Sequence, residues 1–160
     1  MGKTCHDEPM DLEESWNRAA ALLKASHDVW GSPALKTTFP DGLERAASAL
    51  VATIGVDEVV WVETRSDLEA PKVEAAVFST RLVAHLMLTA EGFGFDLHRL
   101  VVDSLRATSI PHVHPGPDGA PPFRFMGRFT DLEVSFPWDP DNVKQDAGLP
   151  EQFARLRDLL

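Results

Sequence analysis

The feature that most constrains this chain is a change of apolar period near Asp57. Before it, apolar residues recur every three or four positions, as on a helix with one buried face. After it, β-branched and aromatic residues become frequent and alternate with polar ones, as in strands. Helices followed by a run of strands predict an α+β domain built on an antiparallel sheet.

The first predicted helix runs from Asp11 to Trp30, with Leu12, Trp16, Ala19, Ala20, Leu23, His27 and Trp30 on one face. Asp11 with Glu14 forms an acidic capping box, and Gly31 followed by Pro33 stops the helix. A linker leads to a second helix over about Gly42 to Ile54, with Asp41 as its cap, a stripe of Leu43, Ala46, Ala47, Leu50 and Ile54, and Gly55 as terminator. Seven strands follow: Glu58–Thr64, Val73–Ser79, Leu82–Ala90, Phe93–His98, Leu105–Ile110, Phe123–Phe129 and Leu132–Phe136. Between the last two the apolar phase moves from odd to even positions, which requires a bulge or a tight turn near Thr130 and Asp131. Pro111 to Pro122 holds five prolines and two glycines and reads as a loop, while Pro150 to Leu160 reads as a closing helix with Phe153, Leu156 and Leu160 on its apolar edge. The expectation is a flexible segment over residues 1–10 and one domain over 11–160, a helical pair (11–55) ahead of a β-rich roll or partly open barrel (57–160).

At 160 residues, 44 % of them apolar, the chain can bury a core without help from disulfides or a structural metal. Its one cysteine, Cys5, has no partner, no run approaches the roughly 18 apolar residues of a membrane span, and the N-terminus is polar. A cytoplasmic protein is expected. A formal charge of −10 repels phosphate backbones and anionic lipid, so nucleic acid and membranes are excluded as expected partners.

The third and fourth predicted strands specify a hairpin. With Glu91 and Gly92 as a two-residue turn, Leu82, Ala84, Leu86, Leu88 and Ala90 share a face with Phe93, Phe95 and Leu97. That register sets His85 opposite His98, with Asp96 diagonal to His85, at β-carbon separations of roughly 5 to 8 Å. Two imidazoles and a carboxylate so placed can hold a metal or relay a proton; on a solvated face they do neither. His112 and His114, alternate residues of an extended segment, can share an ion adventitiously but supply only two ligands. Cys5 and His6 fall in the N-terminal segment, and His27 on the buried stripe reads as a neutral core histidine. The pairs Glu13–Glu14 and Asp139–Asp141 read as solvated acids, because the glycine and distal glutamate of a calcium loop are missing. Trp138, between Pro137 and Pro140, is a candidate anchor against the terminal helix or a partner. No nucleophile elbow, phosphate-cradling glycine loop, Cys-x-x-Cys or zinc-binding His-Glu-x-x-His occurs, so catalysis has no positive support and no cofactor is expected.

Seven meandering strands followed by one helix resemble the pleckstrin-homology-like roll, in which two sheets pack orthogonally and the helix plugs one open end. Val77 to Val83 and Leu100 to Leu105 are similar to stretches of its bacterial members, and the resemblance covers residues 57–160. The lipid-binding members use basic residues in the first hairpin loop; the matching stretch, Ser66 to Lys72, has one lysine. The resemblance therefore implies protein or peptide recognition in the cytosol, by addition of a strand to an exposed edge. Two other expectations stand beside it. Two helices ahead of a curved sheet resemble an NTF2-like or lipocalin-like cavity protein, in which His85, Asp96 or His98 would bind a small molecule or do acid–base work. An acidic immunity-type inhibitor of a basic partner fits the size and charge.

Overall fold

A computed structural model describes residues 11–55, 58–109, 123–129, 132–136, 138 and 158. The chain is α+β, with helices α1 (Leu12–Ser26), α2 (Pro33–Thr38) and α3 (Gly42–Thr53) ahead of seven strands. Asp11 caps α1 through the Glu13 amide, at 3.4 Å, as its position ahead of the apolar stripe predicts.

The long first helix expected to reach Trp30 ends four residues earlier. His27 adopts an extended backbone, and its Nδ1 accepts the Val29 amide at 2.9 Å, so it terminates α1 and caps a 3-10 turn, Asp28–Gly31. It is a half-buried cap rather than a core histidine. That turn delivers Trp30 to the interior, where its Nε1–H donates to Thr64 Oγ1 at 3.0 Å. The expected linker contains α2, which begins where the Ser32 hydroxyl accepts the Leu35 amide and Pro33 takes the first helical position. Asp41, expected to cap α3, makes no side-chain capping bond.

The strands form two antiparallel meanders rather than one closed barrel. β1 (Val59–Asp67), β2 (Lys72–Ser79), β3 (Leu82–Thr89) and β4 (Gly92–Arg99) make a four-stranded sheet in that order. β5 (Val102–Ser109), β6 (Phe123–Phe129) and β7 (Leu132–Phe136) make a three-stranded one. Phe129 pairs with Leu132, so the change of apolar phase falls between two strands of a hairpin; Thr130 and Asp131 themselves lie outside the described residues. So does the segment 150–160, apart from Asp158.

The larger sheet is buried on both faces. Val62, Val73, Ala75, Val77, Ala84, Leu86 and Leu88 pack under the helices with Ala19, Leu23, Ala46 and Leu50. The small residues at Ala19, Ala20, Ala46 and Ala47, all buried, let the two long helices lie close to each other and to the sheet. On the opposite face Ala76, Phe78 and Val83 meet Phe129, Val134 and Trp138, with the Phe78 and Phe129 rings 4.9 Å apart at 56°. This double burial explains the unbroken run Ala75-Ala76-Val77-Phe78 in β2. No described helix is long and apolar enough to cross a membrane.

Phe129 lies across Gly127 on its own strand: a β-carbon there would sit 2.5 Å from the ring and 3.2 Å from Leu105. Gly127→Ala must therefore push Phe129 away from Phe78, and chemical denaturation should show a loss of about 1–3 kcal/mol, with unchanged stability as the contrary result.

Candidate functional site

The predicted hairpin exists two residues out of register. Thr89 pairs with Gly92, so Ala90 and Glu91 form the turn; His85 faces Asp96 directly and His98 faces Val83. The shift corrects the expected His85–His98 pair. His85 is not on a solvated face either, since the second layer covers it, leaving its side chain 17 % exposed while Asp96 remains open to solvent. Among the described residues no three His, Cys, Asp or Glu side chains are arranged to hold a metal ion. Cys5, His6, His112, His114, Asp139 and Asp141 lie outside the described residues. Trp138, the candidate anchor, is 6 % exposed: the layer between the sheets takes it in.

What surrounds Trp138 is a polar cluster set in the apolar seam. β1 sends Trp61, Glu63 and Arg65 to the seam side, and β2 and β3 send Glu74 and His85 to meet them. Glu63 has no exposed surface; its carboxylate accepts the Trp61 Nε1–H at 2.8 Å and the main-chain N–H of Trp138 at 3.2 Å. Those donors answer the cost of burying a polar group, and they pin Trp138 from the main chain. From its ring side Trp138 meets the Arg65 guanidinium, 4.3 Å from the ring centroid, and the His85 ring at 5.9 Å. Arg65 Nε also bonds Glu74, whose other oxygen lies 3.4 Å from Lys72 Nζ and 3.3 Å from His85 Nε2. The imidazole contact is within ion-pair reach but off the line of a straight hydrogen bond.

Burial alone would push the Glu74 carboxyl up, but the His85 imidazole, the Arg65 guanidinium and the Lys72 ammonium outweigh it and hold the group down at about 2. A His–Glu pair of this kind could orient a proton carrier. Here Trp138 covers it, and the described clefts of about 150, 390 and 440 Å³ are lined by neither His85, Asp96 nor His98. The cluster links Trp138 to β1, β2 and β3. Its residues were discoverable: a glutamate inside an apolar strand, such as Glu63 between Val62 and Thr64 or Glu74 between Val73 and Ala75, must be given a partner on folding.

The fold leaves a strand edge open among the described residues. Among the described residues the two sheets present four edge strands, β1, β4, β5 and β7. Register breaks blunt β1 at Val59/Trp61 and β5 at Val102/Ser104, and β7 has only five residues. β4 keeps an unbroken register over eight residues and contains neither proline nor lysine. Phe93 and Phe95 stack 6.4 Å apart on its helix side, and Leu97, 40 % exposed, continues that row. At its Gly92 end the edge meets the 150 Å³ cleft, lined by Phe39, Gly42, Arg45, Leu88 and Phe93 among others.

Comparisons with family models, curated proteins and solved structures return no match.

Because the Glu74 carboxyl is depressed, its contribution to stability is fully present above its ordinary value of 4.5 and is lost as pH falls toward about 2. A depression of this size is worth on the order of 3 kcal/mol. Glu74→Gln should thus lower unfolding free energy near neutral pH by an amount that shrinks steadily between about pH 4.5 and 2, where the two proteins converge; a difference independent of pH would contradict the ion-pair account.

Proposed function

We propose that this domain is a non-enzymatic protein-interaction module that takes an extended segment of a partner as an added strand along β4. The observation that carries the reading is that β4 is the one long edge among the described strands with neither a bulge nor a lysine or proline to deter pairing. Alternate amides and carbonyls of an edge strand point away from its neighbour, and an extended peptide satisfies them at little conformational cost to the host. A protein partner in the cytosol fits this arrangement better than a small molecule, because the polar groups of the seam are engaged with one another beneath Trp138.

The same reading accommodates a PH-like roll. The four-stranded and three-stranded meanders would be its two halves, joined at the Phe78–Phe129 contact, with segment 150–160 as the closing helix. The helices α1 to α3 would be an addition that covers the outer face of the larger sheet.

Selection of peptides from a displayed library, followed by NMR mapping of the best binder, tests the proposal. Slower exchange of β4 amides on binding and a loss of at least tenfold in affinity for Leu97→Lys are expected, while Val101→Lys, equally exposed but beyond the strand, binds as the native chain does. Binders that leave β4 unperturbed, or that ignore Leu97→Lys, would contradict it.

A further inference from the structure

The cleft at the Gly92 end of β4 points to what kind of segment the edge accepts, an inference that rests on the strand-addition reading. Its volume is about 150 Å³. A dry protein cavity of about that size takes up one benzene, so a single phenyl or branched aliphatic side chain fills the space. Phe39, Leu88 and Phe93 supply an apolar lining, and Gly42 lets Leu88 and Phe39 close against the start of α3, since a β-carbon there would come within 2.8 Å of Leu88 Cδ1. The cleft opens beside Phe93, and Phe95 and Leu97 follow on the same side of the sheet. A strand laid against β4 places its own alternate side chains on that side, and its intervening ones beside Gly94, Asp96 and His98.

Charge narrows the occupant further. The chain as a whole carries −10, yet among the described residues both signs stand around this edge: Asp41 and Arg45 at the rim of the cleft, Asp96 and Arg99 on the strand, and Glu91 in the turn beside Gly92. An edge of such mixed and nearly balanced charge is complementary to a segment of low charge, and a strongly acidic or strongly basic peptide meets a like charge there.

We infer that β4 and the adjoining cleft together recognise an uncharged extended segment whose alternate residues are apolar, with one bulky apolar side chain at the end that reaches the cleft. The anchor supplies affinity and the alternation sets the register.

The test uses two synthetic heptapeptides, acetyl-Ser-Phe-Thr-Val-Thr-Val-Ser-amide and its reversed sequence, since for a given strand direction only one of them carries its anchor to the cleft. Each is titrated into the isotopically labelled full chain together with a version in which the phenylalanine is alanine. One peptide is expected to shift the resonances of Leu88, Phe93 and Arg45 along with those of β4, and its alanine version to bind at least tenfold more weakly. In Thr38→Trp and Pro40→Trp, which crowd the cleft from two sides, that discrimination disappears while β4 still responds. If the phenylalanine and alanine peptides bind β4 equally well to the native chain, the anchor inference is overturned and strand addition survives. If none of the four peptides perturbs β4, both are overturned. The comparison among peptides is made on the native chain, so a variant that fails to fold leaves it intact.

Discussion

The structure depends on burying both faces of one four-stranded sheet. β2 makes the constraint plain: from Val73 to Ser79 every residue is withdrawn from solvent, so neither the helices nor the three-stranded sheet can be removed without exposing a full apolar surface. Each layer has its own means of attachment. On the helix side, alanines allow close approach and Thr64 accepts from the indole of Trp30 while sharing a hydrogen bond with Ser26. On the seam side, the rings of Phe78 and Phe129 meet and the polar cluster holds Trp138.

Polar groups in such a seam are expensive unless satisfied, and their arrangement follows from that expense. Glu63 is answered by two N–H donors, and Glu74 by a guanidinium, an ammonium and an imidazole, with Arg65 reaching both Glu74 and the Trp138 ring. The titratable side chains most suggestive of chemistry are thereby committed to structure. Among the described residues openness is left to the rim of the larger sheet, where β4 has one strand neighbour and keeps its regular register. The proposed strand addition would use this edge and the cleft beside it.

Much of this was legible in the chain itself. The period change at Asp57 separates helices from strands correctly, and β6 and β7 begin and end where their aromatic residues predict. The parity of the hairpin is as expected, which is why Leu86 and Leu88 share a face of the sheet with Phe93 and Phe95. Its register is not. A two-residue slide keeps every side chain on its own face, so alternation cannot distinguish the Ala90–Glu91 turn from Glu91–Gly92, and the His85–His98 pairing fell with it. The burial of His85 and Trp138 was hidden for another reason: it depends on one sheet covering another, a long-range contact that no local pattern encodes. His27 shows the converse, a short-range capping bond overriding a helical stripe that would otherwise continue.

Native-state hydrogen exchange across the larger sheet tests the central claim most directly. With both faces buried and β4 left as an open edge, amides of β2 and β3 should exchange only with global unfolding, whereas β4 should alternate, every second amide exchanging faster because it points away from β3. Uniform protection along β4 would mean that its outer edge is already paired, and would contradict both the open edge and the binding function built on it.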